Sequence, residues 1–204
     1  MTTLHKLGII GGTFNPIHIG HLIIAESVRE AYELDHVLFI PARIPPHKKA
    51  ERASALHRLE MTRLAVMSNP NFSVSDMEMK RTGPSYSIDT IRELRKLHGD
   101  SVELYFIAGT DTIQDLPNWR KVEEVLTLCN FIGATRPDGT EIIDNIVEQF
   151  GELGKKIHQL RVPEVEISST DLRNRLHSGK SVRYMIPQTV IEYIRQNGVY
   201  SCIK

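Results

Sequence analysis

Residues 7–22 read LGIIGGTFNPIHIGHL, and the fold turns on how that stretch divides. Leu7 to Ile10 is a short apolar run suited to a buried strand. Gly11 and Gly12 follow at once, where a chain leaving a strand needs unusual backbone angles or room for a ligand. Pro16 marks a turn, and Gly20 with His21 opens a segment of helical periodicity. In that segment Ile24, Val28 and Ala31 recur at steps of four and three and face one way. A strand, a glycine-bearing loop and a helix N-terminus make an anion site, because free backbone N–H groups and the helix dipole point at it together. His18 and His21, three apart, lie on the face of a first helical turn that meets such an anion. This is neither of the two commonest phosphate loops. The Gly-Lys-Ser/Thr of the Walker pattern is absent, and glycines at 8, 11, 12 and 20 do not give GxGxxG.

Outward from that stretch, strands and helices alternate. His36–Ile40 reads as a second strand, followed by a loop over 41–53 carrying IPPHKK and a helix of about Leu56–Met67. Phe72–Met77 reads as a third strand, and Tyr86–Leu97 as a helix with Ile88, Ile91 and Leu94 at three-residue steps. Val102–Ala108 is a fourth strand closed by Gly109, Val122–Leu128 a helix and Asn130–Ala134 a fifth strand. The helical spacing of Ile142, Ile143, Ile146, Val147 and Phe150 predicts a surface helix ending near Gly151. His158–Ile167 predicts a sixth strand interrupted at Pro163, then a helix capped by Ser169 or Thr170 and running to about His177. Pro187 starts a last helix that stops at Gly198. The alternation predicts an α/β fold: a Rossmann-like, doubly wound parallel sheet with a small C-terminal helical segment from about residue 169. Ligands are then expected at the carboxyl ends of the strands, where the loops at 11–21, 41–53, 82–87, 109–120 and 135–139 converge.

The 204 residues make, most simply, one domain over 1–204. Hydrophobic residues are 41% of the chain and charged ones 25%, ordinary globular values. Lys+Arg and Asp+Glu are both 25, and a net charge of zero argues against general affinity for nucleic-acid backbones. Cys129 and Cys202 have no metal-type spacing and form no framework, so reduced thiols are expected. No apolar run approaches a membrane span and residues 1–7 lack a signal-peptide core, so a cytoplasmic protein without membrane attachment is expected.

A second stretch that could carry chemistry is ISSTDLR, Ile167 to Arg173. A strand end feeding hydroxyls and a helix start offers side-chain and backbone donors together, and Arg173 adds a full charge one turn on. Alone, such a motif is ordinarily a helix cap. The first stretch, with Phe14, Pro16, His18 and Gly20-His21, resembles the GxFxPxHxGH signature of a nucleotidyltransferase superfamily. That superfamily also carries ISSTxxR far downstream, and this chain has both. GPSYSIDTI at 83–91, the stretch from Phe106 to Val125 with LPNW, IPPHK at 44–48 and the Arg136-Pro137 pair are similar to the bacterial nicotinate mononucleotide adenylyltransferases. The likeness covers nearly the whole chain, least so 138–156. Sister transferases acting on phosphopantetheine share the HxGH motif but not the GPSYS or LPNW stretches.

The resemblance implies adenylyl transfer from ATP to nicotinate mononucleotide, giving nicotinate adenine dinucleotide and pyrophosphate, one step before NAD. It implies His18, His21 and Arg173 as catalytic residues, with Gly11, Gly12, Thr13, Phe14, Gly20, Gly109, Asp111 and Ile167 beside ATP. Ser169, Thr170 and Arg173 would hold its β- and γ-phosphates, and Asp111 a ribose hydroxyl of the adenosine half. Trp119 would stack on the nicotinate ring and Ser87 read its carboxylate, with Thr13, Asn15, His47, Tyr86 and Arg120 also on the nicotinate mononucleotide side. Lys48 and Arg136 read equally as nucleotide contacts or as solvated loop residues. The acceptor phosphate, with a second pKa of about 6, is largely dianionic near neutrality, so no general base is required. Mg²⁺ would be held by phosphate oxygens and water. His18 and His21 could instead chelate a metal with His47, a reading that lacks a clear third ligand. Asn15 stands where the family usually has Asp, Ser87 where it has Thr, and Arg120 where an aromatic is common. The sequence is compatible with a homo-oligomer.

Overall fold

The strand-then-glycine reading of the first stretch is realised in β1, Lys6–Gly12, which leads through a turn into α1, Ile19–Ala31. The computed structural model describes residues 4–46, 53–135, 140–163 and 165–200. Strands β2 (His36–Pro41), β3 (Phe72–Val74), β4 (Glu103–Gly109), β5 (Asn130–Thr135) and β6 (Ile157–Arg161) complete a six-stranded sheet in the order β3-β2-β1-β4-β5-β6. The pairs β1–β4, β4–β5 and β5–β6 are parallel, with Lys6 opposite Glu103 and Ile9 opposite Phe106 in the first. The order reverses direction beside β1, as in Rossmann-like α/β sheets, where ligands bind beyond the strands' carboxyl ends. Leu104 to Ala108 are buried without a break, because both faces of a parallel sheet are covered.

The intervening helices are α2 (Ala55–Val66), α3 (Ser87–His98), α4 (Thr110–Gln114), α5 (Val122–Leu128), α6 (Thr140–Gln149), α7 (Ser169–His177) and α8 (Gln188–Gln196). Ile88, Ile91 and Leu94 are the buried stripe of α3, as their spacing requires. Four expectations need correction. The third strand ends at Val74, and Met77–Lys80 is a 3₁₀ turn instead. The sixth strand stops at Arg161, because Pro163 cannot donate to a ladder. Ser168 caps α7, its side chain accepting from the Asp171 N–H, so Ser169 and Thr170 lie inside the first turn. Finally, α4 follows β4 where a loop was expected; five residues are too few for periodicity to reveal.

The chain divides into two compact units, each assembled from three segments. The first comprises Met1–Gly11, Ile24–Leu38 and Tyr86–Glu164, with Ile9, Val28, Leu104, Ile107 and Phe131 in its core. The second comprises Gly12–Ile23, Phe39–Ser85 and Val165–Lys204, with Ile17, Phe39, Met61, Leu172 and Val190 in its core.

Candidate active site

The part of the first stretch from Gly12 through His21 and the ISSTDLR stretch both fall in the second unit, and there they meet. Phe14 takes a left-handed backbone angle, φ +48°, which is uncommon for a bulky residue, and its ring is buried. That ring meets the edge of His21 at 5.2 Å between centroids and so fixes the imidazole from one side. His18 lies on the other, the two rings 3.7 Å apart and inclined by 36°. Gly20 makes room for this pair: a Cβ there would sit 3.1 Å from Nδ1 of His18.

The His18 backbone N–H donates to Nδ1 of His21 at 3.2 Å. An N–H can only donate, so Nδ1 carries no proton and the neutral ring of His21 carries it on Nε2. Burial lowers the pKa of His21 to about 3, and the neighbouring His18 adds to the effect. Burial alone lowers that of His18 to about 4. Both rings are therefore neutral at physiological pH. Nδ1 of His18 is buried and has no hydrogen-bond partner among the described residues, a state that native structures rarely leave to chance.

The first turn of α7 docks on the turn just before His18. Ser169 Oγ donates to the Pro16 carbonyl at 2.9 Å. Arg173 donates to the Asn15 carbonyl at 2.8 Å through Nη1 and to the Thr170 hydroxyl at 3.0 Å through Nη2. A helix N-terminus, two hydroxyls and a guanidinium thus share one short stretch with two neutral imidazoles, the donor set that oxyanions require. Asn15 is buried, and its side-chain oxygen accepts from the Tyr200 hydroxyl at 2.5 Å. The sequence gives no hint of Tyr200. Nor does it point to Arg58, a fully buried arginine whose guanidinium donates to the carbonyls of Thr13, Ala42 and Arg43.

The aromatic residues assigned to the pyridine side lie in the first unit. Trp119 follows a short 3₁₀ turn, Leu116–Asn118, and stands edge-on to Phe106 at 5.3 Å and to Phe131 at 5.4 Å. The Arg120 guanidinium stacks over the Tyr86 ring at 4.7 Å, a cation–π contact at the start of α3. Ser87 opens α3, and Tyr86 is its cap residue without a side-chain capping bond. Gly11, the penultimate residue of β1, lies against Phe106, where a Cβ would come within 3.2 Å of the ring. Gly109 closes β4 in the same unit, and Ile167 immediately precedes the α7 cap in the other. His47, Lys48 and Arg136 lie outside the described residues, as does Cys202, and the Asp111 side chain is likewise not described. Among the described residues no three His, Cys, Asp or Glu side chains gather as a metal site, and no helix is long and apolar enough to cross a membrane.

The sequence profile of the Cytidylyltransferase-like family matches residues 9–175, from β1 through the catalytic arginine candidate of α7. The chain belongs to that family. Among curated relatives, it is 43% identical over 198 residues to the "Probable nicotinate-nucleotide adenylyltransferase" of Thermoanaerobacter sp. (strain X514), covering 96% of this chain and 94% of that one. It is 44% identical over 199 residues to the protein of that name from Moorella thermoacetica (strain ATCC 39073 / JCM 9320), covering 96% and 91%. Among solved structures, Plasmodium falciparum nicotinic acid mononucleotide adenylyltransferase complexed with NaAD aligns with a TM-score of 0.79 at 21% identity, over 96% of this chain and 97% of that one. The same enzyme complexed with APC aligns with a TM-score of 0.77 at 20% identity. At those identities the structures speak to the fold, which is the Rossmann-like one expected for this Cytidylyltransferase-like chain. The resemblance first read from HxGH and ISSTxxR thus extends over nearly the full length.

Proposed function

We propose that this chain is a nicotinate-nucleotide adenylyltransferase of NAD biosynthesis, joining ATP and nicotinate mononucleotide into nicotinate adenine dinucleotide with release of pyrophosphate. The observation that carries this reading is the docking of Ser169 and Arg173 on the Asn15-Pro16 turn, beside the paired neutral imidazoles of His18 and His21. Relatives above 40% identity over almost the whole chain support the same substrate pair.

An oxygen of the acceptor phosphate attacks the α-phosphorus of ATP in line, and the bond to the β-phosphate oxygen breaks as pyrophosphate leaves. The acceptor is already largely dianionic, so no protein base takes a proton. Two anions must instead be held together, and charge on the transferred and leaving groups relieved. His21, with its proton on Nε2, donates to a phosphate oxygen, and His18 lies against it with a ring nitrogen in need of a partner. Neutral donors suit this place, since two imidazolium rings 3.7 Å apart would repel each other strongly. Ser169, Thr170 and Arg173 hold the β- and γ-phosphates, which form the leaving group. Mg²⁺ would be held by the phosphate oxygens of ATP and water rather than by a protein side chain, and would relieve charge on the phosphates. Trp119, Tyr86, Ser87 and Arg120, all in the first unit, are the residues proposed for the pyridine ring and its carboxylate.

The test is pyrophosphate release from ATP and Mg²⁺ with nicotinate mononucleotide and nicotinamide mononucleotide in parallel. Release with the acid is expected. Silence with both, and release with phosphopantetheine, would transfer the chain to a sister activity.

A further inference from the structure

Arg58 heads the fully buried side chains of this protein, and it is the one among them with a permanent charge. A buried guanidinium is costly unless its donors are used, and this one reaches three carbonyls on two loops. Nη1 donates to Thr13 at 2.8 Å and to Ala42 at 2.6 Å, and Nη2 to Arg43 at 3.0 Å. Thr13 belongs to the segment leaving β1, and Ala42 and Arg43 to the segment leaving β2. The two segments are also joined directly, by the Ala42 N–H donating to the Gly12 carbonyl at 2.9 Å.

The peptide bond is planar and trans, so its N–H points opposite to its C=O. With the Thr13 carbonyl held on Arg58, the Phe14 N–H is turned away from the guanidinium. No partner for that N–H exists among the described residues. Phe14 also holds its left-handed φ of +48°, a conformation that persists only when neighbours impose it. The same grip carries the Phe14 ring that steadies His21.

We propose that Arg58 is the positioning residue of the nucleotide loop: by fixing the Thr13–Phe14 peptide it presents the Phe14 N–H as a donor to a phosphate oxygen of ATP. The proposal rests on ATP being the nucleotide. Arg58 itself touches no substrate. Lysine cannot replace it, because a single ammonium lacks the planar fork that spans three carbonyls.

The experiment measures kcat and KM for each substrate in Arg58→Lys and Arg58→Ala, with folding followed by circular dichroism and thermal melts. Both variants should lose roughly 10²-fold in kcat/KM for ATP, the scale of an ångström-level misplacement, with the KM for the pyridine nucleotide little changed. Added guanidinium ion should restore part of the activity of Arg58→Ala, and added ammonium should not. An Arg58→Lys enzyme with wild-type kcat/KM overturns the proposal, as does a loss that follows melting temperature alone and is not rescued. Should both variants fail to fold, the unaltered protein decides: the Phe14 amide resonance must shift when a non-hydrolysable ATP analogue binds, and an unmoved resonance overturns the proposal. A shift without turnover on any nicotinate acceptor would sink the acceptor assignment and leave the positioning role standing.

Discussion

His18 and His21 are joined through backbone and ring at once: the His18 N–H bonds Nδ1 of His21 while the two rings lie 3.7 Å apart. The bond sets the His21 tautomer, and with it the one ring proton that the proposed reaction offers to a phosphate. His21→Ala should therefore lower kcat by roughly 10²–10³, the usual loss for one transition-state donor, with a smaller change in ATP affinity. Steady-state kinetics on the purified variant checks this. A near-normal kcat would remove His21 from the reaction.

The same pair makes stability depend on pH. Folded His18 and His21 have pKa values of about 4 and about 3, below the ordinary 6.5 of the unfolded chain. The unfolded state thus binds protons that the folded state refuses, and stability falls as pH drops below 6.5 towards those values. At pH 5 the loss is about 2 kcal/mol for each histidine. Urea midpoints at pH 7 and pH 5 should differ less in His21→Ala than in the wild type. Imidazole resonances of both residues should show no titration near 6.5.

Arg173 and Ser169 both hold the Asn15-Pro16 turn, and in the proposed reaction they also hold the nucleotide. Arg173→Lys retains a charge but loses the forked contact to Asn15 and Thr170, and a fall of about tenfold or more in kcat/KM for ATP is expected. Ser169→Ala removes one hydrogen bond to Pro16, worth about 1 kcal/mol, so its effect should be several-fold smaller. Equal losses in the two variants would contradict this ranking.

Trp119 is the only tryptophan of the chain, so intrinsic fluorescence reads one place. If its face receives the pyridine ring, nicotinate mononucleotide should quench the emission and ATP alone should not. Trp119→Ala should raise the KM for the pyridine nucleotide and lower the melting temperature, since the contacts to Phe106 and Phe131 go with the ring. Unchanged emission on titration would leave Trp119 as a packing residue.

Asn15 accepts the Tyr200 hydroxyl on its side-chain oxygen. A carboxylate accepts the same bond, so Asn15→Asp should keep activity within a few-fold. Tyr200→Phe removes that hydrogen bond, at a cost of about 1 kcal/mol. Denaturant unfolding compares the two variants directly, and the reverse order of damage would show that the hydroxyl does not anchor the loop.

Much of this architecture was legible because its signals are local. A strand, two glycines and a phased helix mark β1 to α1, and the expected helix Val122–Leu128 is α5 to the residue. The ISSTDLR stretch begins a helix as read, although the cap is Ser168, and boundaries of this kind depend on single side-chain bonds. Non-local features were hidden. Arg58 sits in α2 among residues whose polarity alone suggests a solvated face, and only the folded chain shows three carbonyls around it. Tyr200 lies 185 positions from Asn15, beyond any periodicity. The distance also explains why the Asn15 substitution could be noticed in the sequence but not interpreted there.

That separation bears on how the protein is made. At roughly 5–20 residues per second, translation leaves Asn15 waiting on the order of ten to forty seconds for Tyr200 to be polymerised, and nearly as long for Ser169 and Arg173. A nascent chain can assemble much of its sheet in that interval while the Asn15-Pro16 turn still lacks its bonds to α7 and Tyr200. The turn before the histidines is therefore completed late, and a product cut short before α7 would keep the Phe14 and Arg58 contacts to this segment but lack the bonds from Ser169, Arg173 and Tyr200.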